Sequence, residues 1–321
     1  MGASEKKYNS GFVLVSILWV TAMLSLLVLG FGRRAALERD AAAYALDHAQ
    51  AMMMARGAVD RGIVELHNQA ALRQVLPEEY HENVHLGASW ATSMNLYLQG
   101  YFEQAEMFRR DDVSYAITDE DRYININTAP RELIEAIPSL TRGAIRRIMA
   151  RLARDGDSEE ERTPFNTIEE LRYIRGVSED DWFGTSRQPG LRNLLTVWSD
   201  DGRINVNTAP REVLECIPGL RSADIDDILN YRAGSDGILN TQDDRGFTSL
   251  EHLFAAIEIE EKSDVREALR KYCKTTSSYF RITGVATRRN GRIRAVCTAL
   301  VSLTEGAPSR ILDWQEKTLG S

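Results

Sequence analysis

Phe12 to Phe31 is a run of twenty residues without one charged side chain. Its most polar members are Ser16, Thr21 and Ser25. Nothing else in the chain limits the fold so strongly. An α-helix rises about 1.5 Å per residue, so this run reaches across a hydrocarbon core of roughly 30 Å. Only a helix satisfies its own backbone there within a single segment. The rest of the chain is of another kind. Of 321 residues, 39 are Lys or Arg and 47 are Asp or Glu, a formal net charge of -8. Hydrophobic content of 43% fits a folded chain of about two domains carrying one apolar helix. The acidic balance argues against a protein that grips phosphate backbones over its whole surface.

The flanks say what kind of helix this is. Lys6 and Lys7 precede the run, and Arg33 and Arg34 follow it. A cleaved secretory signal has a shorter apolar stretch, about 7–15 residues, and ends on small uncharged residues. An uncleaved signal anchor is the plain reading. The apolar pattern then continues at helical spacing through Leu37, Ala41, Tyr44, Ala51, Ala55, Val59, Ile63 and Leu66, broken by His48. One long helix is predicted from Phe12 to about Asn68, apolar all round first and amphipathic after. Met52-Met53-Met54 reads as adaptable packing.

Strands are predicted at the two sides of a helical middle. His85 to Ala116 alternates short apolar runs with polar residues, including Trp90-Ala91-Thr92, Leu96-Tyr97-Leu98 and Val113-Ser114-Tyr115-Ala116. Tyr279–Thr287 and Arg292–Thr304 flank Asn290-Gly291, a strong hairpin signal, and Ser309–Trp314 offers a third strand. Between them a phrase is duplicated. Ile124-Asn125-Ile126-Asn127-Thr128-Ala129-Pro130-Arg131-Glu132 returns as Ile204-Asn205-Val206-Asn207-Thr208-Ala209-Pro210-Arg211-Glu212. Phe165–Leu171 resembles Phe247–Leu253 in the same way. In each copy Thr128 or Thr208 is suited to cap a helix. A second helix is predicted over 144–153 or 223–232, and a third from Thr167 or Thr248. Asn193 to Val206, with the turn Asp201-Gly202, reads as a β hairpin between the copies.

Two resemblances attach to these residues. Ser10-Gly11-Phe12-Val13-Leu14-Val15 resembles the class III leader site of type IV pilins and type II secretion pseudopilins. The resemblance implies cleavage by prepilin peptidase between Gly11 and Phe12 and N-methylation of Phe12. Most such chains carry Glu at the fifth mature position, where this one has Ser16. A buried Glu in a membrane helix needs a partner. The resemblance implies that in these filaments the partner is the N-terminal amine of the subunit above, so its loss suits a subunit with none above it. The Ile-Asn-x-Asn-Thr-Ala phrase is shared with helix-hairpin-helix modules that hold DNA phosphates. Here the second hairpin glycine is missing in Ile137–Gly143 and Ile217–Ser222. Residues 203–264 carry six basic against thirteen acidic side chains, a poor phosphate clamp.

From end to end the chain resembles the type II secretion minor pseudopilin K family, also called general secretion pathway protein K. That resemblance implies an α+β fold, with a pilin-like long N-terminal helix packed on an antiparallel sheet. A large, mostly α-helical inserted domain would hold the duplicated helix-hairpin-helix, SAM-like unit. The expected organisation is a leader over 1–11, a transmembrane part over 12–31 and pilin-like core over 32–120 and 275–321. The insertion would occupy 121–274, with repeats near 124–176 and 204–264. The implied role is a subunit at the tip of the pseudopilus that initiates its assembly and helps export folded proteins across the outer membrane. Implied partners are minor pseudopilins I and J, prepilin peptidase, the inner membrane, secreted substrates and the secretin, with no nucleic acid. The implied location is the bacterial inner membrane, single-pass, with the bulk in the periplasm. A type IV minor pilin and a membrane-tethered helix-hairpin-helix DNA-binding protein are the alternatives.

Ser235 to Asp244 places three carboxylates with Gly, Asn and Thr in ten residues, the oxygens a hard cation takes. A solvated acidic turn is the plain alternative. The resemblance implies calcium in the helical insertion, and this loop is the candidate, with Asp236, Asp243 and Asp244 as ligands alongside the Ile238 carbonyl. Asp155 and Asp157 form a second, weaker candidate in the first copy. Cys216 reads as core. Cys273 and Cys297 are the two that an oxidising compartment would allow to pair, at a distance the sequence leaves open. No nucleophile–base set, phosphate-binding loop or dinucleotide fingerprint is present, so no enzymatic activity is expected.

Overall fold

The structure, a computed structural model, describes residues 10–75, 84–86, 88, 91, 113–152, 163–241, 243–261, 263–303 and 309–320. The strand readings at Trp90, Thr92 and Leu96–Leu98 lie outside the described residues. So do Asp155 and Asp157.

Helix α1 (Ser10–Val75) is one unbroken element of 66 residues. It carries the only described segment long and apolar enough to cross a membrane. Strand β1 (Val113–Asp119) follows, and the chain then leaves the sheet at Asp119. The first repeat opens with β2 (Ile124–Asn125) and continues through α2 (Arg131–Glu135) and α3 (Arg142–Leu152). A short 3-10 turn over Ile168–Tyr173 leads to α4 (Glu179–Phe183) and the tight pair β3 (Gly184–Thr185) and β4 (Gln188–Pro189). β5 (Leu195–Thr196) closes this repeat by pairing parallel with β2. The second repeat runs from β6 (Ile204–Asn205) through α5 (Arg211–Leu214), α6 (Ser222–Arg232), α7 (Leu250–Ala256) and α8 (Asp264–Tyr272). β7 (Cys273–Lys274) closes it, again parallel to the opening strand. The chain re-enters the sheet as β8 (Tyr279–Arg288), β9 (Ile293–Ser302) and β10 (Arg310–Gly320).

The sheet is antiparallel in the order β1-β8-β9-β10. Its turn at Arg289, Asn290 and Gly291 takes positive φ at all three residues, which suits the Asn-Gly pair. The expected hairpin over 193–206 does not form. Residues 195–196 and 204–205 each pair with a distant strand of their own repeat, so each copy is closed by its own strand pair.

Two cores hold the molecule. Ala51, Ala55, Val59 and Leu66 of α1 pack on Ile117, Ile282, Ala295, Cys297 and Ala299 of the sheet. Gly284 lets the helix approach: a Cβ there would overlap the Ala55 carbonyl and stand 3.0 Å from Val59. The predicted stripe is covered only in its second half. Leu37 and Tyr44 remain exposed, and contact begins where Asp47 pairs with Arg288 and Arg289. The other core joins both repeats through Ile124, Ile126, Leu133, Ile148, Ile204, Val206, Ile228 and Phe247. Cys273 lies in this core and Cys297 in the sheet core, and all three cysteines are free and buried. Cys216 is core, as read, and burial pushes its thiol up to about 12.

Candidate functional site

Gly11 and Phe12 lie in the first turn of α1. From Phe12 to Phe31 the large apolar side chains face outward on every side, with Phe12 75% and Trp19 72% exposed. The three hydroxyls of this stretch are satisfied inside the helix. Ser16 donates to the Phe12 carbonyl at 2.9 Å, Thr21 to Leu18 and Ser25 to Thr21. A helix that leaves no polar group to solvent and no apolar group to itself is fitted to lipid or to neighbouring helices.

The contacts of α1 also set direction. Asp47 meets Arg288 and Arg289, Gly62 lies against Ile282, and His67 meets Ser309. Moving away from the apolar run therefore means moving down β8 toward Tyr279. The inserted domain leaves at Asp119 and returns at Tyr279, which is the far end of the sheet. Phe31 to His67 is about 54 Å of helix, so the insertion crowns the molecule at the end opposite the apolar run.

The duplicated phrase proves to be a clip. In each copy the first Asn accepts the N–H of the second: Asn125 from Asn127 at 2.8 Å, Asn205 from Asn207 at 3.0 Å. The second Asn then grips a phenylalanine backbone far along the chain. Asn127 donates to the Phe165 carbonyl at 2.9 Å and accepts its N–H at 2.8 Å. Asn207 does the same to Phe247 at 3.0 and 2.7 Å. An amide side chain matches a peptide group donor for acceptor, so Asn serves both bonds where Asp would serve one. The expected threonine caps are not made. The helices begin after Pro130 and Pro210 without a side-chain cap, and Thr208 donates instead to Asp119.

That bond belongs to the junction between insertion and sheet. Asp119 Oδ2 accepts from Asn205 at 2.9 Å, Ser277 at 2.7 Å and Thr208 at 2.5 Å. Asp121 accepts Lys274 Nζ at 3.0 Å and the N–H groups of Ser278 at 2.8 Å and Tyr279 at 3.2 Å. Glu120 takes two donors from Arg281 and the hydroxyl of Thr196. Three consecutive acidic residues thus lock both repeats to the start of β8. Sequence reasoning missed them, because Asp119-Glu120-Asp121 looks like an ordinary polar turn.

Burial raises the Asp119 carboxyl, opposed by its three donors. Asp121 is pushed up to about 6, first by burial and then by the charge of Asp119. The native state therefore holds this proton more tightly than the unfolded chain. The stability it contributes is full below 3.8 and is lost as pH rises through about 6. That displacement corresponds to about 3 kcal/mol. Asp121→Asn should accordingly gain up to about 3 kcal/mol relative to the native chain between about pH 4 and pH 7. Urea midpoints of both chains across that range test it; a pH-independent difference would show an ordinary carboxyl.

The acidic loop divides the predicted ligands. Thr241 Oγ1 stands 2.6 Å from Asp243 Oδ1, 3.3 Å from Asp244 Oδ1 and 3.2 Å from the Ile238 carbonyl. Those three oxygens gather around one point. Asp236 is not among them, since its Oδ1 caps the Ile238 N–H at 2.7 Å. Asp243 Oδ2 accepts the N–H groups of Ser235 and Asp236. Hydrogen bonds from Thr241 and Ser235 hold the Asp243 carboxyl well below the usual range. Among the described residues no three His, Cys, Asp or Glu groups share one metal position. A cation here would rest on two carboxylates, a carbonyl and a hydroxyl.

No protein-family model and no curated protein sequence matches the chain. Among solved structures it is similar to a chain of the crystal structure of the GspK-GspI-GspJ complex from the type 2 secretion system of enterotoxigenic Escherichia coli. The TM-score is 0.56 at 14% identity, covering 87% of this chain and 99% of that one. The long helix, the antiparallel sheet and the helical insertion together make this a GspK-like fold.

Proposed function

We propose that the chain is a minor pseudopilin of type II secretion that sits at the pseudopilus tip, initiates its assembly and helps export folded proteins. One observation carries the reading: the inserted domain covers the end of the sheet opposite the apolar helix. In a filament whose helices all point one way, that is the end where a subunit above would seat, and here it is occupied by the chain itself. Ser16 in place of a buried carboxylate supports the same position, as does the likeness to a complex of GspK, GspI and GspJ. Minor pseudopilins I and J are then the partners in assembly. The apolar helix anchors the chain once in the bacterial inner membrane, and the bulk lies in the periplasm. The protein is a structural component and a substrate of prepilin peptidase, not a catalyst.

N-terminal mass analysis of the chain from cells with and without prepilin peptidase tests this. A chain beginning at N-methylated Phe12 only when the peptidase is present is the expected result. Intact Met1 in both would remove the reading.

Calcium is proposed on the acidic loop, where Asp243, Asp244 and the Ile238 carbonyl would hold it beside Thr241. It would neutralise two neighbouring carboxylates and fix the loop over Arg232. Calcium should raise the melting temperature of the full chain in detergent, and Asp243→Ala with Asp244→Ala should remove the rise. Asp236→Asn, outside the cluster, should keep it; a rise unchanged in the double variant would sink the site.

A further inference from the structure

We infer that the outer face of the first repeat is a docking surface for an acidic segment of a partner protein. Arg142 and Arg146 stand one turn apart on α3, both exposed, and no described residue offers either a carboxylate. The start of α3 is tied to the next turn of the chain. Thr141 donates to the Gly176 carbonyl at 3.3 Å and Arg147 to the Arg175 carbonyl at 3.0 Å. Arg175 is also exposed and unpaired among the described residues. Two positions before it, the Tyr173 ring is 88% exposed. Arg172 continues the surface to Phe183, 5.6 Å from its ring, and Arg192 lies 4.8 Å over the same ring. Phe183 itself is 46% exposed.

The second repeat shows that this charge is not a demand of the fold. At the positions of Arg146 and Arg147, α6 carries Asp226 and Asp227. Its acids are largely answered within the unit, Asp224 by Arg221 and Asp226 by Arg211. In the first repeat Arg131, Arg151 and Arg172 are paired with Glu135, Glu170 and Glu179, while Arg142, Arg146 and Arg175 have no carboxylate partner among the described residues. Arg, Tyr and Phe are the residue types that anchor protein interfaces, and unanswered guanidinium groups select carboxylates.

The neighbourhood decides among anionic partners. A lipid surface lies at the other end of α1, about 54 Å of helix away. A nucleic-acid duplex would have to pass beside the second repeat, with its thirteen acidic side chains against six basic ones. An acidic protein segment carrying an apolar side chain for Tyr173 meets neither obstacle. The inference does not depend on the place of the chain in a filament, because binding is read on the isolated chain.

The test is fluorescence anisotropy with the full chain in a neutral detergent. The probes are a labelled Glu-rich peptide bearing one Leu and one Tyr, its Gln counterpart, and a short DNA duplex. The Glu peptide should bind, weaken as salt rises, and lose about tenfold or more with Arg142→Ser plus Arg146→Ser. Tyr173→Ala should lose a comparable amount, whereas Asp227→Ala in the second repeat should lose nothing. These are surface changes, so unchanged melting curves accompany the expected result. Equal binding of the Gln peptide, or an unaltered double variant, overturns the inference. Tighter binding of the duplex overturns it in favour of nucleic acid.

Discussion

Valine at Gly284 should unseat α1 from the sheet. The Cβ alone would overlap the Ala55 carbonyl and press on Val59 and Ala58, and two of those three neighbours are buried backbone or branched side chain with nowhere to retreat. Overpacking of this kind costs about 1–3 kcal/mol and more when backbone must move. Here the backbone that must move is a helix whose buried face, Ala51, Ala55 and Val59, already consists of small residues chosen for close approach. The cost should lie at or above the upper end. Gly57 provides the contrast. It sits on the exposed side of the same helix with open space around its Cα. Gly57→Ala should stabilise by up to about 1 kcal/mol. Thermal unfolding of both variants in detergent, followed by the far-ultraviolet signal, checks the pair. Equal effects of the two would mean that α1 does not rest on β8 as described.

Alanine at Asn207 is the second large effect. Its side chain is fully buried and makes three bonds to main chain, to Phe247 N, Phe247 O and Thr275 O. Removing it takes this partner from two buried backbone groups of Phe247, at about 1–3 kcal/mol each, and from the half-buried Thr275 carbonyl. A loss of about 3–5 kcal/mol is expected after partial relaxation. Asn127→Ala breaks the equivalent clip in the first repeat, where the residue is only half-buried and water can replace part of the loss. Its cost should be markedly smaller, about 1–2 kcal/mol. Hydrogen exchange distinguishes the two. Asn207→Ala should release the amides around Phe247 and β7, and Asn127→Ala those around Phe165. Equal losses would show that the two clips carry equal weight.

The long apolar helix, the hairpin at Asn290-Gly291 and the helical middle were legible because each rests on a local pattern. A charge-free run, an αL dipeptide and a 3.6-residue period need no knowledge of distant partners. The acidic loop was legible in the same way, and it brings Asp243 and Asp244 together while turning Asp236 to another task. What the sequence hid is non-local. Ile124-Asn125 pairs with Leu195-Thr196 and Ile204-Asn205 with Cys273-Lys274, and two-residue strands have no period to detect. The same gap made residues 193–206 look like a hairpin, since their β-rich character is real but their partners lie elsewhere. Thr208 illustrates the remaining difficulty. It has the spacing of a cap, yet a buried Asp119, 89 positions away, is a stronger acceptor in a dry junction. Leu37 and Tyr44 extend the helical stripe by spacing alone and find no sheet beneath them.

The return of the chain at Tyr279 has a consequence for how the protein forms. β1 is the edge strand paired with β8, yet Glu120 and Arg281, which join them at their base, are 161 positions apart. Closing so long a stretch of unfolded chain is slow, because its entropy is spent before any contact repays it. The two repeats shorten the journey. Each is shut by its own parallel strand pair and its own asparagine clip, so each can collapse without the sheet. Once they have, Asp121 already stands beside Lys274 and the Ser278 N–H, and β8 is delivered to the edge of β1. The topology thus equips the insertion to act as a folding jig, bringing the outer parts of the chain together once the middle has closed.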